Sequence, residues 1–111
     1  MRDDRVLGDL EHLVLLAVLH LDAEAYGVAV ADAITARTGL RVAMGSVYTT
    51  LNRLENKGLL NSRREAPTPV RGGRSRRCYR VTPAGRGALE ATRIALDGMW
   101  RGLEPGLETS R

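Results

Sequence analysis

The chain has 111 residues, 43% of them hydrophobic and 27% charged, which suits one compact domain with a modest core and excludes wholesale disorder. Aromatic residues make up 4% and Phe is absent, so Leu, Val and Ala must build that core. A single cysteine excludes an internal disulfide and fits the reducing cytoplasm, and a net charge of +4 keeps acidic partners in view.

The opening "MRDDRVLGDL" carries acidic residues where a secretory leader needs a basic and then an apolar stretch, so no leader is expected. From Asp9 to about Leu21, apolar residues at Leu10, Leu13, Val14, Ala17 and Leu21 follow helical spacing. Leu15, Leu16, Val18 and Leu19 fill the other faces, which places this helix at the centre of a fold or against a second subunit. Its apolar run, residues 13–19, falls well short of the roughly 18 to 20 residues that span a bilayer, so no membrane partner is expected. A second helix follows in "YGVAVADAITARTG", with Tyr26, Val30, Ala31 and Ile34 on one side and Gly39 at its end.

After a brief extended link at residues 40–42, "AMGSVYTTLNRLENKG" predicts a third helix that stops at Gly58. Met44, Val47, Leu51 and Leu54 share one face; Gly45, Ser46, Thr49, Asn52 and Arg53 face the other way, with Tyr48 on the flank. Two short extended runs around "PTPVRGGRSR" then read as a hairpin with a long basic tip, bent at Gly72 and Gly73. Thr82 followed by Pro83 signals the start of a fourth helix that runs towards Trp100 or Leu103. Leu89, Leu96 and Leu103 recur there every seven residues, with Thr92 and Met99 between them, an imperfect heptad seam that predicts a dimer. Residues 105–111 read as a frayed tail.

Charge is unevenly spread. Residues 60–86 hold eight arginines against Glu65 alone, a local charge of +7, while the segments before and after are slightly acidic. Sixteen of the seventeen basic residues are Arg, the side chain suited to bidentate phosphate contacts.

Three helices, a basic two-stranded wing and a terminal helix, in that order, predict a mainly α winged helix-turn-helix over 1–81 with a dimerisation helix over 82–104. The third helix offers small and polar groups outward, so it fits a major groove: Ser46 and Thr49 as short hydrogen-bonding groups, Asn52 for an adenine edge, Arg53 for guanine or a phosphate, Tyr48 for the backbone. Arg71, Arg74 and Arg76 flank the glycine turn and are the expected phosphate contacts, ahead of Arg77 and Arg80. The alternative partner for such a module is RNA or an acidic protein. "RGGRS" resembles a phosphate loop only superficially, because its context is a hairpin. No nucleophile–histidine pair or metal-ligand cluster is present in the sequence, so neither an enzyme, a cofactor nor a metal is expected. His12 and His20 lie eight apart, too far for one metal at the usual helical spacing. Cys78 alternates with Tyr79 and reads as a small apolar strand residue rather than a redox thiol.

The linked motifs "LEHLVLLAVL", "YGVAVADAI", "GSVYTTLNRLENKGLL" and "PTPVRGGRSRRCYRVTPAGRGAL" resemble the PadR family of transcriptional regulators, over roughly residues 9–90. The resemblance implies a cytoplasmic homodimer on a palindromic operator, usually a repressor, with the terminal helix supplying much of the interface. Candidate interface residues are Leu15, Leu19, Leu89, Leu96, Met99 and Leu103. Trp100, with Leu96, is either an interface anchor or a stacking surface for a planar apolar or aromatic effector, as the compact branch of the family implies. Ala43 departs from the Ser or Thr that often caps the third helix, and Gly98 and Gly102 weaken the terminal one.

Overall fold

The computed structural model describes residues 6–65 and 76–103. Helices α1 (Asp9–Leu21), α2 (Gly27–Thr38) and α3 (Met44–Asn56) lead into strands β1 (Leu60–Glu65) and β2 (Arg76–Val81) and the long helix α4 (Pro83–Trp100). The expected mainly α fold with a two-stranded antiparallel wing is the one observed.

α1 lies at the centre, as its all-round apolarity requires. Val14, Leu15 and Val18 meet Val30 and Ile34 of α2, Val47, Leu51 and Leu54 of α3, and Leu60, Tyr79 and Val81 of the sheet in one continuous core. Two expected interface residues therefore change role. Leu15 is 0% exposed and Leu89 is 8% exposed, so both are spent on the protomer's own core. Leu19 is only partly buried, and Leu16, its neighbour around α1, is exposed.

The element ends follow local chemistry. Glu11 reaches back to accept a hydrogen bond from the Gly8 amide at 3.1 Å, closing the first turn of α1. The Thr82 hydroxyl accepts from the Gly85 amide at 3.0 Å and donates to the Gly58 carbonyl at 2.7 Å. One side chain thus caps α4 and ties it to the turn that ends α3. Gly58, with φ 79°, supplies the left-handed residue that turn needs.

Two connections were not visible in the sequence. Tyr26, expected on α2, instead pairs antiparallel with Cys78, and the Tyr79 amide donates to the Ala25 carbonyl at 2.9 Å. The wing is thereby stitched to the start of α2. Thr92, expected at an intermediate position of the heptad seam, is 1% exposed and accepts from the Leu7 amide at 2.9 Å. The first half of α4 is therefore built into the core, and only the half beyond Thr92 stands clear. Cys78 is buried on its strand, its thiol donating to the Ala23 carbonyl at 3.4 Å. No described helix is long and apolar enough to cross a membrane.

Candidate nucleic-acid interface

The outward face of α3 is built by what its inward face consumes. Val47, Leu51 and Leu54 are fully buried, and Thr50, which the apolar pattern did not flag, is buried with them at 4%. Ser46, Tyr48, Thr49, Asn52 and Arg53 are all exposed, in line with the spacing argument. At about 100° per residue, Tyr48 and Glu55 border the wing, Asn52 comes next, and Thr49, Arg53 and Ser46 follow towards the far flank. The amino end of α3 has no side-chain cap at Ala43. Tyr48 leans on α2: a Cβ added at Gly27 would lie 2.6 Å from the tyrosine ring. Gly27 is the gap that lets the ring lie down.

The wing sorts its arginines by strand alternation. The register Leu60↔Val81, Ser62↔Tyr79, Arg64↔Arg77 defines the face turned towards the core and α3. Asn61↔Arg80, Arg63↔Cys78 and Glu65↔Arg76 define the other. On the outer face Tyr26 donates to Glu65 Oε1 at 2.7 Å, Arg63 pairs with Glu65 Oε2 at 3.0 Å, and the Arg76 guanidinium stacks 4.0 Å from the centre of the Tyr26 ring. The Tyr26 bond holds the Glu65 carboxyl below its usual range against the effect of burial, with Arg63 adding to it. The same bond, with burial, raises the Tyr26 phenol. Arg76, expected as a phosphate contact, thus has an aromatic and an acidic neighbour of its own. Arg71 and Arg74, with Gly72 and Gly73, lie outside the described residues.

On the inner face, Ser62 donates to Glu55 Oε2 of α3 at 2.7 Å and accepts from Arg77 Nη1 at 2.9 Å. This chain links wing and α3 directly. Sequence reasoning passed over the link because Glu55 and Ser62 are unremarkable, and Arg77 ranks behind Arg76, until the hairpin register brings the three together.

A second surface lies behind. α1 and α4 flank an open groove of about 780 Å³ lined by Leu16, Leu19, Leu89, Ile94, Leu96 and Trp100, together with His12, Glu90, Asp97 and two arginines. Leu96, Met99, Trp100 and Leu103 are 44%, 77%, 44% and 48% exposed, a set of large apolar groups at the end of α4 and in the turn just after it. Leu96 and Trp100 share the groove, whereas Met99 and Leu103 do not line it. Among the described residues no cluster of His, Cys, Asp or Glu could hold a metal ion.

A polar, groove-sized helix face beside a basic two-stranded wing defines a regulator of the winged helix-turn-helix class. The model of the transcriptional regulator PadR-like family matches residues 15–91. The chain belongs to that family, and is accordingly a transcriptional regulator rather than an enzyme. It is 44% identical over 90 residues to transcriptional regulator Rv3488 of Mycobacterium tuberculosis, a match covering 79% of each chain. Its fold is similar to a PadR family transcription regulator from Clostridium difficile R20291, with TM-score 0.71 and 25% identity over 90% of this chain and 99% of that one. A PadR family regulator from Eggerthella lenta gives TM-score 0.64 and 27% identity, over 89% and 87% of the two chains.

Proposed function

We propose that the protein is a cytoplasmic homodimeric repressor that binds a palindromic DNA operator and responds to a planar apolar or aromatic effector. The observation that carries this reading is the face of α3. Val47, Leu51 and Leu54 are spent inside, with Met44 partly buried against them, and Ser46, Tyr48, Thr49, Asn52 and Arg53 stand exposed next to the basic wing. The membership of a transcriptional-regulator family supports it. Dimer formation is supported by the exposed Leu96 and Met99 on α4 and Leu103 just beyond it, and effector binding by the apolar groove that contains Leu19, Leu96 and Trp100.

In this reading the α3 side chains supply sequence preference and the wing arginines, Arg71 and Arg74 among them, supply salt-dependent affinity. A dimer that neutralises roughly eight phosphates should lose affinity with a log–log salt slope near −7. Selection of bound sequences from a random duplex pool tests the reading. A two-fold symmetric consensus bound with such a slope is the expected result. A slope near zero, or structured RNA outcompeting the selected duplex, would refute it.

A further inference from the structure

We propose that Arg77 is a phosphate-contacting arginine of the wing, aimed along the flank of α3 by a Glu55–Ser62–Arg77 hydrogen-bond relay, while its neighbour Arg76 is a positioning residue that braces the wing from behind. The inference rests on the DNA-binding reading above.

Adjacent residues on a strand point to opposite faces, so Arg76 and Arg77 cannot share a role by proximity alone. Tyr79, two residues beyond Arg77 on the same face, is buried in the core, and Ser62 stands directly opposite it. Arg77 therefore continues the core-facing side of the hairpin outward, past the hydrophobic interior and alongside α3. There its Nη1 donates to Ser62 Oγ at 2.9 Å, and that hydroxyl donates onward to Glu55 Oε2 at 2.7 Å. Glu55 sits one turn after Asn52, on the flank that Tyr48 also occupies. Burial is the chief cause that raises the Tyr79 phenol, and the Arg77 charge opposes it.

A carboxylate on the groove-facing flank of α3 is unfavourable beside DNA unless it is engaged. Here it is engaged through the relay, which turns Glu55 from a repelling group into an orienting one. Arg77 remains exposed, and an arginine has five N–H donors in a rigid fork, so Ser62 fixes the fork without exhausting it. Arg64 shares this face directly opposite Arg77, concentrating positive charge there. Arg76 lies on the other face, over the Tyr26 ring at 4.0 Å and opposite Glu65 in the register. Tyr26 precedes α2, so Arg76 and Glu65 together clamp the loop-side end of the paired strands to the helical body.

The test uses the full chain and a mixed-sequence DNA duplex, because phosphate contacts are independent of sequence. Salt slopes are measured for wild type, Arg77→Ala, Arg76→Ala and Ser62→Ala, with thermal melting of each. Each phosphate contact contributes about 0.9 to the slope, so loss of one per protomer should flatten it by about 1.8 in a dimer. Arg77→Ala should show that change with an unaltered melting temperature. Arg76→Ala should change the slope by less than half as much and lower the melting temperature. Ser62→Ala should keep the wild-type slope and bind several-fold more weakly, because the charge stays while its aim is lost. An unchanged slope in Arg77→Ala, or an equal flattening in Arg76→Ala, overturns the assignment. A wild-type slope near zero would instead overturn the DNA-binding reading itself, and this proposal with it.

Discussion

Removing the two ends of one ion pair should cost this protein unequal amounts, and the larger cost should shrink as the pH falls. Lys57 Nζ lies 2.8 Å from Glu11 Oε2, and the lysine side chain is 48% exposed against 10% for the glutamate. In Glu11→Gln the lysine returns to water and the new amide oxygen can still accept from Gly8, so the loss should be about 1 kcal/mol, the upper end for a solvent-screened pair. In Lys57→Met the carboxylate stays buried with only the Gly8 amide bonded to it and the more distant Arg53 charge for support. That should cost about 2 to 3 kcal/mol, below the range for a fully buried pair because Lys57 is half in water. Burial pushes the Glu11 carboxyl up, but hydrogen bonds from Lys57 and Gly8 and the charges of Lys57 and Arg53 outweigh it and hold the group below its ordinary value. In the wild type this contribution is complete above the unfolded-state value of about 4.3 and is lost as pH falls through the folded-state value. In Lys57→Met burial dominates, the folded-state value rises above the unfolded one, and stability returns as pH falls. The deficit of Lys57→Met should therefore shrink between about pH 6 and pH 4.5. Urea midpoints at both pH values and one fixed protein concentration measure it. Equal costs for the two variants, or a Lys57→Met deficit that is flat with pH, would refute the reasoning.

Thr92→Val should cost about 1 to 3 kcal/mol, because it leaves the buried Leu7 amide without the acceptor it has now; a chemical melt within about 0.5 kcal/mol of wild type would show that the bond matters little. Gly27→Ala should leave the fold nearly as stable, since the half-exposed Tyr48 ring can swing out, yet weaken DNA binding as much as Tyr48→Ala does; unequal losses would separate the ring's position from its function. Asn52→Ala should relax base preference at one position per half-site, read by repeating the duplex selection, and an unchanged consensus would remove it from the groove. Leu96→Glu should yield monomers by sedimentation, together with loss of any concentration-dependent blue shift in Trp100 emission; a dimer that persists with its shift intact would move the interface elsewhere.

Where a residue's environment is set within a turn or two of itself, the sequence was sufficient. The apolar spacing of α3, the Thr82–Pro83 start of α4 and the glycines after α2 and α3 are of this kind, and each element begins or ends where they put it. Contacts between distant segments were opaque. Tyr26 belongs with Glu65, 39 residues away, and Thr92 with Leu7, 85 residues away, and neither partner leaves a mark in local periodicity. Leu15 was misread for a related reason. A helix apolar all round does not say which side meets its own chain and which a second one. The wing arginines look alike as letters, and only the pairing register divides Arg76 from Arg77.

The half-in, half-out placement of α4 has a mechanical corollary. Its first nine or ten residues are locked into the winged unit by Thr82, Leu89 and Thr92, while Trp100 lies eight residues further along the axis, roughly 12 Å at the helical rise of about 1.5 Å per residue. In the proposed dimer that free length is a crank handle. A molecule wedged against Trp100 cannot bend the handle without turning the whole DNA-reading head, so a small change in the angle at which two handles cross becomes a change in the distance between two recognition helices. Operator spacing would then be written into the geometry of α4, and one helical turn added after Thr92 would shift it by about 5.4 Å while leaving every contact of the core in place.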